Sequence, residues 1–217
     1  MHPNVGVLSL QGDFACHHAT LEALGVRAVR VTLPADLAAC DALVMPGGES
    51  TTMLRLLEAT GLRGPLEAFV REKPVLGTCA GVILLGRGGE GLPAPPLGAL
   101  DVVVERNAYG RQVDSFTAEI HVTPLGRTMH GVFIRAPRLT TVAAGVEVIA
   151  RLASAHGPAP AAEPVGERSG RVVGLGFQPE LTHDSGLHAW FLEEVAGFTL
   201  PGGAAAIGSE HAPGARA

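Results

Sequence analysis

Residues 74–86 read PVLGTCAGVILLG. Pro74 introduces a short apolar run, Val75–Gly77, that breaks into Gly-Thr-Cys-Ala-Gly and resumes as the apolar Val82–Leu85. The pattern predicts a buried strand, a sharp turn and a helix, with Cys79 at the apex of the turn. The flanking glycines have a steric reason. A turn this tight holds its central residue in a strained conformation, and neighbours without a Cβ avoid collision. Cys79 is then presented at the C-terminal edge of a sheet and at a helix N-terminus. There the helix dipole is expected to lower the thiol pKa, and the Ala80 N–H is expected to face a developing oxyanion. An arbitrary free cysteine is most often a small core residue. The strand, both glycines and the apolar helix reverse that expectation for Cys79, and it stands for Cys16 and Cys40.

Working outward, the same alternation repeats. Val5–Leu10 is an apolar run ended by Gln11-Gly12, and His17–Leu24 reads as a helix stopped by Gly25. Val26–Thr32 and Ala42–Met45 read as further strands, the latter ending in Pro46-Gly47-Gly48. Thr51–Thr60 reads as a helix capped by Ser50 or Thr51 and stopped by Gly61, and Gly64–Glu72 continues in helical style. Strands alternating with helices specify an α/β domain with a mainly parallel central sheet flanked by helices. After Gly86 the pattern changes. Residues 86–98 read as a Gly/Pro loop, and Leu100–Arg106, Ser115–Val122 and Val132–Ile134 as extra short strands. Val146–Leu152 and Arg171–Phe177 are expected to pair across a long exposed and mobile connection, Ser154–Ser169. Gly186–Val195 reads as a final amphipathic helix. Residues 1–200 form one domain on this reading, and 201–217 a disordered Gly/Ala/Pro tail.

Composition narrows the class. The chain has 217 residues, 47% hydrophobic and 17% charged, which suits one globular domain with a substantial core. Aromatics are only 4%, so the core rests on Leu, Val, Ile and Ala, as in buried parallel sheets. The net charge of −5, without a basic run, argues against a nucleic-acid or anionic-membrane partner. No apolar stretch reaches the roughly 18 residues of a membrane span. The opening MHPNVGVLSL reads as a first strand, not a targeting segment. Three cysteines without metal spacing fit a reducing, cytoplasmic compartment and suggest no metal.

Three further stretches end near the expected sheet edge. The Gly-rich turn Met45-Pro46-Gly47-Gly48-Glu49-Ser50 can offer backbone N–H groups, although glycine in such turns often serves geometry alone. Arg106 and Arg111, in RNAYGRQVDSF, and Arg135, in FIRAP, are candidate partners for a substrate carboxylate, against the ordinary solvated fate of an arginine. Finally VVGLGFQPELTHD, residues 172–184, runs a strand into Gln178, Pro179 and Glu180.

Together these stretches resemble a known family. VGVLSLQG, MPGGESTTM, GTCAGVILL, ERNAYGRQVDSF, VFIRAP and FQPELT are similar to the glutaminase subunits of pyridoxal 5′-phosphate synthase, class I (triad-type) glutamine amidotransferases. The resemblance spans residues 4–198. It implies a flavodoxin-like fold and hydrolysis of L-glutamine to glutamate and ammonia. The ammonia would pass to a synthase subunit within a large heteromeric complex, and the glutaminase needs no cofactor. It places Cys79 as nucleophile and Glu180 as triad carboxylate. Gly47 and Ala80 fall at the oxyanion hole, and Gly48, Glu49, Ser50, Arg106, Ile134 and Arg135 at the glutamine-binding positions. Cys16 stands where the family usually has Glu.

One departure bears on the chemistry. Where the family has F-H-P-E-L-T, this chain has Gln178 in place of the triad histidine. An imidazole takes the thiol proton and returns one to the departing ammonia. An amide can bridge Glu180 and Cys79 by hydrogen bonds but has no titratable proton near neutral pH. Loss of a general acid–base costs roughly 10²–10⁴ in rate. His183 lies beyond Pro179 and a turn and would have to fold back over Glu180 to substitute, so an exposed loop residue or a cap near Asp184 is the favoured reading, and His121, His130 and His188 have no motif support. Two other readings therefore stay open: a catalytically silent subunit that binds the partner and senses glutamine, and an amidotransferase subunit of another pathway.

Overall fold

The computed structural model describes residues 3–88, 90–106, 108, 115–141 and 143–201. The expected tail lies outside them, except for Pro201, as do Asn107, Arg111 and most of the RNAYGRQVDSF stretch.

The first half follows the predicted alternation, except that the first helix starts earlier, at Phe14, and a short unexpected helix stands at Pro34–Ala38. Strands β1 (Asn4–Leu8), β2 (Arg27–Val31), β3 (Ala42–Met45) and β4 (Val75–Thr78) are linked by helices α1 (Phe14–Ala23), α2 (Pro34–Ala38), α3 (Ser50–Ala59) and α4 (Arg63–Glu72). Helix α5 (Ala80–Leu85) follows β4 directly. Short strand β5 (Arg87–Gly88) leads to β6 (Val102–Glu105), β7 (Phe116–Val122), β8 (Arg127–Phe133), β9 (Arg138–Thr141), β10 (Glu147–Leu152), β11 (Pro164–Ser169) and β12 (Val172–Leu175). Helix α6 (Gly186–Trp190) runs into a π turn, Phe191–Val195.

Among the described residues the main sheet has nine strands in the order β2-β1-β3-β4-β12-β11-β10-β7-β8. From β2 to β12 the neighbours are parallel, and from β12 to β8 antiparallel. A small sheet, β5-β6-β9, is hydrogen-bonded separately, with β9 packed against β11. Strands β3, β4 and β12 are buried along their whole length, as strands covered on both faces must be. Alternation then divides the core in two. Val5, Val7, Val44, Leu76 and Val173 face α1 and α6, whereas Leu8, Leu43, Met45 and Val75 face α3, α4 and α5.

Three further expectations change. The 154–169 connection is not one exposed loop: Val165, Gly166 and Glu167 are buried in β11, which lies between β10 and β12 and separates the two strands expected to pair. Gly166 fits because a Cβ there would come within 2.9 Å of both Ala150 and Leu175 side chains, so the glycine that signalled a loop marks close packing. The last helix is buried nearly all round rather than amphipathic. And α3 is capped not by Ser50 or Thr51 but by Glu49, whose carboxylate accepts from the Thr51 N–H at 3.3 Å.

Candidate active site

The parallel strands deliver their C-terminal ends to one edge. Asp13 follows β1, Gly47-Gly48-Glu49 follows β3, Cys79 ends β4, and Gln178 and Glu180 follow β12. Register fixes the last two against the elbow, since Gly77 pairs with Gly174 and Thr78 with Leu175, and the Cys79 N–H donates to the Leu175 carbonyl at 2.8 Å. The Gln178 N–H donates to the Val132 carbonyl at 2.9 Å, which anchors residue 178 to β8.

Cys79 has φ 47° and ψ −102°, a conformation a non-glycine residue adopts only when its surroundings impose it. The imposing contacts are visible. A Cβ on Gly81 would come within 2.1 Å of the Met45 carbonyl oxygen, and one on Gly77 within 2.7 Å of the Gly81 carbonyl carbon. Only glycine at both positions lets α5 start this close to β3 and β4.

The Cys79 thiol opens on a cavity of about 140 Å³ lined by Asp13, Gly48, Glu49, Ser50, Ile83, Arg106, Ile134, Arg135 and Gln178. Sequence reasoning named most of these, and the fold brings them together from six separate stretches. Ala80 is not among the lining residues, but its backbone N–H faces the Cys79 sulfur. Cys79 Sγ lies 3.7 Å from the Ile134 carbonyl oxygen. Arg135, itself at φ 45°, and Arg106 each place a nitrogen 3.5 Å from the Glu49 carboxylate. Burial acts to raise the Glu49 pKa, but hydrogen bonds from Thr51 and the two guanidiniums outweigh it, so Glu49 is held below the usual range. The result is a carboxylate and two guanidiniums around one cavity, an arrangement that matches an α-amino acid, whose ammonium and carboxylate seek opposite partners.

The thiol itself departs from expectation. Burial pushes the Cys79 pKa up to about 12, the Glu180 charge adds to the rise, and the N–H groups of Ala80 and Gly48, with Arg135, pull the other way without prevailing. Desolvation therefore outweighs the helix dipole that the sequence suggests. The N–H aimed at sulfur from the Gly-rich turn is that of Gly48. Gly47 instead accepts from the Asp13 N–H at 3.1 Å through its carbonyl.

Gln178 is 3% exposed, yet it does not bridge its neighbours as expected: neither Gln178 Oε1 nor Glu180 Oε2 has a hydrogen-bond partner. The amide oxygen lies against Gly47. Glu180 is instead held through Oε1, which accepts from the Thr78 hydroxyl at 3.1 Å and lies 3.1 Å from His17 Nε2. His183, His121 and His130 are exposed. Sequence reasoning missed Asp13, which burial and the Glu180 charge push above the ordinary aspartate range while His17 acts against the rise. It also missed Gln11, whose Oε1 accepts from the Glu49 N–H at 2.8 Å, and His17 and His188. For His17 a signal existed: it stands four residues before Leu21 on the buried stripe of α1, where a polar side chain needs a partner. Among the described residues no three His, Cys, Asp or Glu side chains form a metal-holding group, and no helix is long and apolar enough to cross a membrane.

Known proteins share this arrangement of sequence and fold. A crystal structure titled as a glutamine amidotransferase superposes with a TM-score of 0.80 at 45% identity, covering 89% of this chain and 99% of that one. A protein titled PurLQS from Thermotoga maritima shares the fold at a TM-score of 0.61 and 18% identity, covering 86% of this chain and 92% of that one. Proteins named pyridoxal 5′-phosphate synthase subunit PdxT are 47% identical over 192 residues in Thermus thermophilus, covering 87% of this chain and 96% of the relative, and 43% identical over 192 residues in Thermosipho africanus, covering 88% and 98%. Residues 7–197, the stretch that carries the elbow, the Gly-rich turn and the Gln-Pro-Glu turn, match one family model, and the chain belongs to the SNO glutamine amidotransferase family.

Proposed function

We propose that this chain is the glutaminase subunit of a pyridoxal 5′-phosphate synthase, hydrolysing L-glutamine and passing ammonia to a synthase subunit in a cytoplasmic heteromeric complex. Residues 1–200 form the amidotransferase domain on this reading. The observation that carries it is the cavity shared by Cys79, Gln178 and the Glu49–Arg106–Arg135 cluster. The α-ammonium of glutamine pairs with Glu49 and its α-carboxylate with the two arginines. Cys79 Sγ attacks the side-chain amide carbon, and the oxyanion that forms is received by the N–H groups of Ala80 and of the Gly47-Gly48 turn. Ammonia leaves with a proton, and water hydrolyses the thioester to glutamate.

Both proton transfers belong to residue 178, and here that residue is an amide. With the Cys79 pKa raised to about 12, the thiolate is also scarce near neutral pH. These two facts favour a second reading, in which the chain binds glutamine and the synthase partner but turns over slowly or not at all. The deciding experiment assembles the chain with the synthase partner and measures glutamate release for the unaltered chain, Gln178→His and Cys79→Ala. The glutaminase reading expects slow release, a rise of roughly 10²–10⁴ in Gln178→His, and none in Cys79→Ala. Equal rates in the first two would remove residue 178 from the chemistry, and unchanged release in the third would remove Cys79. Silence from the unaltered chain beside an active Gln178→His would establish the second reading. Failure to assemble with the synthase, alongside capture of another acceptor enzyme, would place the chain in a different pathway.

A further inference from the structure

Behind the cavity the Glu180 carboxylate is held by a buried chain of side chains outside the sequence motifs. His17 Nε2 lies 3.1 Å from Glu180 Oε1 and 3.2 Å from Thr78 Oγ1, and His17 Nδ1 lies 2.9 Å from His188 Nε2. His17 and His188 are both 0% exposed, and their rings meet at 58°. Three distant parts of the chain converge here: α1, the turn after β12, and α6. The titratable groups set against His17 among the described residues include Glu180, Asp13, His18 and His188.

The far end of this chain fixes the order of its protons. Burial drives the His188 pKa down to about 3, so that ring carries a single proton. His188 Nδ1 has no partner. A proton on Nδ1 would leave a buried N–H unpaired, whereas a bare lone pair there is the milder omission. The proton therefore sits on His188 Nε2 and is donated to His17 Nδ1. A His17 ring that accepts at Nδ1 carries its own proton on Nε2, aimed at Glu180. Every donor in the series points toward the carboxylate.

The geometry assigns His17, with its tautomer set by His188, as a positioning residue for Glu180: together with Thr78 it occupies Oε1 and leaves Oε2 without a partner, the oxygen that can orient residue 178. This rests on the reading of Glu180 as the carboxylate that orients residue 178. A neutral donor suits the task better than Lys or Arg. It fixes the rotamer without cancelling the negative charge that must stabilise an imidazolium at position 178.

The test uses the Gln178→His chain assembled with its synthase partner and compares His17→Leu, His17→Asn and His17→Gln. The amide nitrogen of Gln falls near the Nε2 position, whereas that of Asn falls near Nδ1 and stops short of Glu180. Leu and Asn are expected to lower kcat by roughly 10–100-fold with KM little changed, and Gln to recover most of the loss. A Gln variant no better than Leu, or losses that merely follow melting temperature, would overturn the assignment. Two measurements stand free of turnover and decide the matter even if the chain proves silent. Imidazole nitrogen NMR of the unaltered chain at pH 8 should show both rings neutral with the proton on Nε2; a His17 imidazolium or an Nδ1–H tautomer would refute the proton order. A crystal structure of His17→Leu should show the Glu180 carboxylate rotated, and an unmoved carboxylate would refute the positioning role.

Discussion

Gly47 and Gln178 are packed backbone against side chain. A Cβ on Gly47 would come within 2.4 Å of Gln178 Oε1 and 3.4 Å of Cys79 Cβ. The Gly-rich turn thus forms one wall of the slot that holds residue 178. The clash in Gly47→Ala falls on the end of a flexible side chain, so the fold survives and residue 178 gives way. In a Gln178→His chain that displacement moves the imidazole off its thiol, and misplacement of about 1 Å costs on the order of 10²-fold in rate. The expected outcome is a melting temperature close to the parent's and a kcat lower by about that factor. Undiminished glutamate release would show that the wall does not position the residue.

The second prediction concerns thiol reactivity. With a pKa near 12 set chiefly by burial, Cys79 in the unaltered chain reacts through a minute thiolate fraction. Its alkylation by iodoacetamide, followed by mass spectrometry on the peptide carrying Cys79, should climb about tenfold per pH unit from pH 7 to 10 with no plateau. Gln178→His should raise the rate at pH 7.5 by supplying a base. A plateau near pH 8 in the unaltered chain would mean that the N–H groups of Ala80 and Gly48 outweigh desolvation.

What could be read in advance follows physical lines. The strand–Cys79–helix elbow was legible because its steric demands are local: glycines must stand at fixed offsets where β3, β4 and α5 touch. The parallel half was legible because strands covered on both faces must be continuously apolar. Strand β11 was not, since Pro164 and Gly166 are loop residues by composition and strand residues only because Ala150 and Leu175 close around them. The Cys79 pKa was misjudged for a related reason. Sequence reveals the helix start beside the thiol but not the depth of burial, and burial dominates. The His17–His188 contact joins residues 171 apart and leaves only a histidine on a buried helical stripe as its trace.

The elbow's steric demands yield a contrast between two glycines. A Cβ on Gly81 would meet the Met45 carbonyl oxygen at 2.1 Å, and β3 cannot retreat because it is paired on both sides, with β1 and β4. Gly64, near the start of α4, has nothing within 4 Å of its Cβ position. Gly81→Ala should lower stability by an amount at or above the upper end of the ~1–3 kcal/mol typical of overpacking. Gly64→Ala should raise it by about 0.5–1 kcal/mol through helix propensity. Urea denaturation midpoints of the two variants should move in opposite directions. A Gly81→Ala chain of parental stability would show that the elbow has slack to absorb a methyl group.

The buried histidine pair makes stability depend on pH, with a sign set by burial. His188 has its pKa driven from 6.5 to about 3 in the folded chain. Between those values the unfolded chain binds a proton that the folded chain refuses, so stability rises with pH across this window and is complete above it. Acidifying from pH 6.5 to 5 should cost about 1 kcal/mol per unit from this group alone. His188→Gln removes that proton uptake and should show a shallower acid slope, whatever its stability at pH 8. His18, whose pKa burial also lowers, contributes to both chains and cancels in the comparison. The Arg127–Asp184 pair holds its carboxylate below the usual value, so the stability it adds is lost only as pH falls below the ordinary aspartate value of 3.8, beneath the pH 5 to 7.5 range compared. Unfolding free energies of the two chains at pH 7.5, 6.5, 5.75 and 5 measure the difference in slope directly. Parallel slopes would mean that His188 takes up a proton in the folded chain, which the unpartnered Nδ1 in its buried setting argues against.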